Sequence, residues 1–399
     1  MQDPVLKKEN KIIAITQWLV LIGVVSSLYV EAGTLFLALL LLLFTNKLVI
    51  KKNIYIPLFI TYLFISSIIT IFINNYPFDK FFQQFVLITC FIIGYFLYLS
   101  STKQYINSLF NKYLKFMVFI SFFGVVQYVI YRLTGRNIFG FINTTEWGDY
   151  NFRVTSFLTC EPARFANILS AALFYYFVNY KITQKLFSKI VVLLAYLLTF
   201  SFTANIILMI MFIILAIMKF KKFVVLSIPI LLIGLISFYL FNEYNVLNRP
   251  YKESSSKILL QVFTDFSLYN IENLNRTNLS VYAITKNTWV SLNSPSRLFG
   301  TGLGTHEFSH DRLIRLVNPI DSLNKQDAYS LGVRVFSELG LVGIFLLIFF
   351  LVKFSNFKNL INFSVFFILL SLILRGGHYA SNGTIMFFCL YYFTGRGNQ

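Results

Sequence analysis

Three short stretches hold the residue types that do chemistry. Residues 153–164 read RVTSFLTCEPAR, which places Arg153, Glu161 and Arg164 close together. Pro162 suits the first turn of a helix, so Glu161 and Arg164 fall one turn apart at a helix start and can pair. Residues 375–382 read RGGHYASN, with Arg375 and His378 beside Tyr379. Guanidinium forks suit bidentate contact with phosphate or carboxylate, and a carboxylate or imidazole beside them can take a proton. Residues 306–310 read HEFSH, the H-E-x-x-H pattern in which two histidines on one helical face bind zinc and the glutamate activates water. That reading would make a membrane metalloprotease. It is opposed by its setting: the motif follows the breaker-rich GTGLG, Asp311 and Arg312 come at once, and no later apolar run offers an aspartate as third ligand. No metal and no cofactor are expected.

The elements that must position these groups are membrane spans. The chain has 399 residues, 57% hydrophobic and only 13% charged, against roughly 25% charged in soluble domains. Soluble enzymes, coiled coils and disordered scaffolds are excluded. A spanning helix needs about 20 mostly apolar residues. Twelve runs qualify: 12–30, 32–50, 54–73, 82–100, 113–133, 164–180, 186–202, 204–220, 223–241, 329–352, 359–375 and 383–395. The expected fold is an all-α polytopic membrane protein. Spans 1–9 occupy residues 1–241, with an external segment at 134–163. A long external loop, 242–328, caps the membrane domain, and 329–399 carry spans 10–12. Residues 100–115 read as an amphipathic segment lying on the inner interface. Three scattered cysteines make no disulfide framework.

Charge sets the orientation. Numbering the loops from a cytoplasmic N-terminus puts 17 of the 22 lysines on one face, which becomes the cytoplasmic face. Both termini lie there. With Arg396, and against Asp3 and Glu9, that face holds +16 of the net +18. The basic balance is therefore topological and implies no nucleic acid. The arginines sort the other way, with eleven of twelve at the external side or its membrane edge. Topology requires none of them there. Structural pairing with the external acids accounts for some, and the remainder suggest an anionic ligand.

The run S-F-x-x-x-E-P-A-x-x-A-N at 156–167 resembles the F-x-E-P signature of the O-antigen polymerase and ligase superfamily. NSPSRLFGTGLG (293–304) is similar to that family's glycine-rich loop segment. DAYSLGVRVFSELGLVGIFLL (327–347) resembles the helix that follows the loop. Where ligases carry His-Asn, this chain has Tyr329 and Ser330, which favours the polymerase type. The usual S-R-T reads Ser201-Phe202-Thr203, and the R-x10-G loop motifs are missing.

The resemblance implies a metal-independent glycosyltransferase in the bacterial inner membrane. Its donor and acceptor would be oligosaccharide repeat units on undecaprenyl diphosphate, polymerised at the outer face into O-antigen or capsule. A flippase and a chain-length regulator would be its partners. Arg153, Arg164, Arg297, Arg334 and Arg375 become candidates for holding the leaving diphosphate, and Glu161, Asp327 and His378 for catalysis. Tyr329, Tyr379 and Trp147 could stack on sugar rings. An O-antigen ligase, a lipid-linked oligosaccharide flippase and the zinc protease remain alternatives.

If the orientation holds, a membrane-impermeant thiol reagent will label a cysteine introduced at Ser255 and leave one at Lys221 unmodified. The reverse pattern would overturn the charge argument.

Overall fold

The computed structural model describes residues 4–26, 28–49, 54–136, 154–155, 162–179, 186–199, 201–219, 284–285, 287–289, 291–306, 328–376, 378–380 and 383–395. Among these, the secondary structure is helical throughout. In chain order the helices are α1 (Pro4–Val25), α2 (Leu28–Phe44), α3 (Tyr55–Asn74), α4 (Phe78–Ser101), α5 (Ile106–Thr134), α6 (Pro162–Val178), α7 (Leu186–Leu198), α8 (Phe202–Lys219), α9 (Leu331–Lys353), α10 (Leu360–Leu374) and α11 (Thr384–Gly395). Four of the described helices, α3, α4, α5 with its preceding turn, and α9, are long and apolar enough to cross a membrane, and shorter apolar helices pack among them. The run 223–241 and the loop 242–283 lie outside the described residues.

Helices are the natural product of such runs, because in hydrocarbon every backbone N–H and C=O must be paired within the segment. Their packing follows the chain closely. α1 lies on α2, α5 on α7, α6 on α10 and α11 on both α10 and α4. One end of the bundle is tied by Lys112, whose Nζ donates to Gln17 Oε1 at 2.7 Å, and by Lys353, which donates to the Tyr55 hydroxyl at 3.2 Å. Asn362 closes the same end, donating to the Tyr391 carbonyl of α11.

One expectation needs correcting here. The stretch 100–115, read as one amphipathic segment, divides between elements, its first residues ending α4 and 106–115 opening α5. A 3-10 turn at Lys103–Tyr105 leads straight into α5, and Ile106, Leu109, Phe110 and Tyr113 are buried against the bundle. Lys103 and Lys115 are exposed there, while Lys112 turns inward onto Gln17 and α1.

The feature that governs the other end is a break in α9. Gly340 has φ 68° and ψ −163°, which interrupts the helix after its first nine residues. The turn frees the carbonyls of Ser337 and Glu338 and the N–H groups of Leu341 and Val342. Residues 297–302 supply all four partners. Thr301 N donates to Ser337 O at 3.0 Å and Gly302 N to Glu338 O at 2.9 Å. Leu341 N donates to Arg297 O at 2.9 Å and Val342 N to Leu298 O at 3.1 Å. The fit leaves no room for side chains: a Cβ on Gly300 would overlap the Glu338 carbonyl, and one on Gly340 would overlap that of Leu298. Beyond this joint the loop continues onto α3, where Leu303 N donates to Ser67 Oγ at 3.0 Å.

These contacts generate a comparison. Gly300 and Gly135 share a positive φ, 74° and 68°, but a Cβ at Gly135 would meet open space. Gly135→Ala should cost only the left-handed strain, about 1–2 kcal/mol. Gly300→Ala must also separate the loop from α9 and should lower the thermal midpoint in detergent by clearly more. Equal losses would show that the joint is loose.

Candidate functional site

The half-helix 331–339 enters from Ser330, whose Oγ accepts from Val333 N at 3.2 Å and donates to Ile373 O at 2.6 Å. This N-cap satisfies one of the orphan donors of the first turn and ties α9 to the end of α10. The next turns carry Arg334, Ser337 and Glu338 on the inward face. Arg334 Nε lies 3.2 Å from Glu338 Oε1, one helical turn apart, and both side chains are buried, at 4% and 0% exposure. A charge pair out of water persists only where further hydrogen bonds hold it. The loop supplies them. His306 N donates to Glu338 Oε1 at 3.3 Å, and the His306 ring, through Nδ1, is hydrogen-bonded to Ser337 Oγ at 2.8 Å. His306 therefore fastens the glycine-rich loop to the charged face of α9. The rest of HEFSH, residues 307–310, lies outside the described residues.

The turn joining α10 to α11 closes over this pair. The Arg334 guanidinium stacks on the Tyr379 ring, 4.9 Å from its centre, and Arg375 stacks on Tyr329 at 5.1 Å. Tyr329 takes a left-handed backbone, φ 57°, a conformation bulky residues rarely adopt. Its neighbour Ser330 meanwhile caps α9. The Tyr379 hydroxyl and Glu338 Oε2 are buried without a hydrogen bond of ordinary geometry. Burial, and then the nearby Glu338 charge, push the phenol's pKa up, so it stays protonated.

His378 sits beside Arg334 and Arg164. Burial, with those two positive charges close by, holds its pKa far below 6.5, at about 3. The ring is therefore neutral at physiological pH. Ala380 N donates to His378 Nδ1 at 3.1 Å, which places the ring proton on Nε2. This geometry equips His378 to donate a hydrogen bond, and its low basicity makes it a weak proton acceptor.

Arg164 comes from the first turn of α6. One turn further along, Asn167 is clamped: Ser371 Oγ donates to Asn167 Oδ1 at 2.5 Å, and Asn167 Nδ2 donates to Arg375 O. That clamp seats the mouth of α6 against the end of α10. The turn is held from the far side by Glu31, a fully buried carboxylate in the first turn of α2. It accepts from the Tyr95 hydroxyl at 2.6 Å and from Gly383 N at 3.1 Å.

The structure thus brings together Arg164, Arg334 and His378, with Arg375 anchored at the end of α10 beside them. Arg297 is exposed, and among the described residues its side chain makes no ion pair or hydrogen bond. Arg153, Glu161 and Asp327 lie outside the described residues, as does Trp147. Sequence reasoning gave no role to Glu338 or Glu31, although an acid within an apolar run is itself a signal. It also weighed His306 only as a metal ligand.

Compared with models of known protein families and with curated proteins, the chain matches none. The resemblance to polymerases and ligases rests on the motif residues themselves. Two of those motifs, the glycine-rich loop and the helix after it, are the two halves of the joint at Gly340.

Arg334→Ala will strand the Glu338 carboxylate and cost about 3–5 kcal/mol. Arg334→Met combined with Glu338→Gln should recover much of that in thermal unfolding, because the pair leaves together. Losses that simply add would show that the two residues do not act as a pair.

Proposed function

We propose that the chain is a membrane glycosyltransferase of the O-antigen polymerase type, spanning the bilayer twelve times with both termini in the cytoplasm and 242–328 outside. It would join undecaprenyl-diphosphate-linked oligosaccharide units at the outer face of a bacterial inner membrane. The observation that supports this best is the gathering of Arg164 and Arg334 around a neutral His378, at the end of the bundle away from Lys112 and Lys353. Cations are costly so near hydrocarbon, and groups placed there despite that cost are functional by default.

In the proposed reaction, a sugar hydroxyl of the acceptor attacks the anomeric carbon of the donor. The bond from that carbon to the diphosphate oxygen breaks, and the diphosphate departs with the bonding electrons. Fixed guanidinium groups and the His378 Nε2–H stabilise the developing charge without a metal. The hydroxyl proton passes to a carboxylate. Glu161 immediately precedes Pro162 at the start of α6, and Asp327 precedes Ala328 and Tyr329 beside Arg375, so both are the bases this reading assigns.

Arg164 tests the proposal. If it holds diphosphate through a bidentate fork, Arg164→Lys will fail almost as badly as Arg164→Ala, since a point charge cannot replace the fork. A loss of about 10²–10³ in rate is expected for one such contact. Cells with matched expression should then display single repeat units in place of a ladder. Absence of any surface unit would point to transport or ligation instead, and full rescue by lysine would reduce Arg164 to charge balance.

A further inference from the structure

The long external segment between the ninth and tenth apolar runs reads as an aqueous cap, but residues 297–303 do not sit above the bundle. Val342 N donates to Leu298 O, which places Leu298 beside the part of α9 that follows its break at Gly340. Gly302 packs against Thr70 and Ile71, short of the end of α3 at Asn74. The loop therefore runs below the helix ends, in the seam between α3 and α9.

Its inner side is spent on the joint, while its outer side is apolar and open. Leu298 and Phe299 are 53% and 55% exposed. The two helices of the seam carry exposed apolar side chains of their own, Phe72 and Ile73 on α3 and Leu341 and Phe345 on α9. Those flanking faces belong to two helices long and apolar enough to cross a membrane. Part of the backbone polarity of this stretch is already met: Leu298 O, Thr301 N and Gly302 N bond across the break at Gly340, and Phe299 N and Gly300 N donate to Ser296 O, which lowers the cost of placing it against hydrocarbon. Arg297, next in the chain, is exposed, and a long cationic side chain of this kind can lay its stem on apolar surface and reach head-group phosphates.

We infer that the segment 297–299 is a membrane anchor, with Leu298 and Phe299 in the acyl chains of the outer leaflet and Arg297 at its phosphate layer. The occupant of the apolar seam is bilayer lipid. This continues the lipid-facing surface of α3 and α9 and does not depend on the proposed reaction.

The chain has three tryptophans, Trp18, Trp147 and Trp289, so a single reporter is accessible. In a Trp18→Phe, Trp147→Phe, Trp289→Phe background, Phe299→Trp is reconstituted in phosphatidylcholine vesicles, with Phe345→Trp as the lipid-facing reference. Vesicles brominated on the acyl chains should quench both reporters to the same extent, and aqueous iodide should leave both bright. Iodide quenching without bromolipid quenching at position 299 would put the loop in water and overturn the inference. Failure of both quenchers would mean that protein covers the seam, and would overturn it equally. Leu298→Trp, on the adjacent exposed position, gives the same reading if Phe299→Trp does not reconstitute.

Discussion

Backbone N–H and C=O groups left unpaired in hydrocarbon cost several kcal/mol each. A helix broken inside the bundle must therefore find new partners for every group the break frees. At Gly340 the partners come from one short stretch of chain, 297–302, and the repair decides much else. It brings the glycine-rich loop against α9 and α3. It delivers His306 to Ser337 and Glu338. It leaves the half-helix 331–339 free to aim Arg334 inward, while 341–353 continues as an apolar helix. The glycines at 300 and 340 are required because backbone meets backbone there, with no space for a Cβ.

The charged groups at this end obey a second constraint. Buried Arg334 and half-buried Arg375 each have a soft or opposite partner on the protein itself. Arg334 has Glu338 on one side and the Tyr379 ring on the other, and Arg375 lies over Tyr329. His378 takes the remaining route and stays uncharged. Two guanidinium planes at this end are thus held by aromatic faces. Groups held in place this way need little reorganisation when charge develops beside them.

Much of the frame was legible from the order of residues. The apolar runs at 54–73, 82–100 and 359–375 coincide with α3, α4 and α10 to within a few positions, because helix formation by a long apolar run is a local matter. The glycine-rich loop and the helix after it stood out as motifs, and Pro162 does open α6. Pairings made across hundreds of residues were not legible. Nothing in SELG says that Gly340 breaks the helix or that Leu298 completes it. Glu31 looked like one more acid near a span end, yet Tyr95 and Gly383 make it the post to which the turn carrying His378 and Tyr379 is fastened. The amphipathic pattern of 100–115 was legible, with Lys103 and Lys115 exposed, but the inward reach of Lys112 to Gln17 on α1 was not.

The joint at Gly340 also bears on how the chain assembles. In a straight α9, Leu341 N and Val342 N would pair with the carbonyls of Ser337 and Glu338, so a helix newly placed in the bilayer needs no outside help. The broken form becomes the cheaper one only once 297–302 has docked, trading two internal bonds for four external ones. α9 is thus an element with two self-consistent hydrogen-bonding schemes. The docked loop holds the broken scheme, so the inward aim of Arg334 rests on bonds made from outside α9.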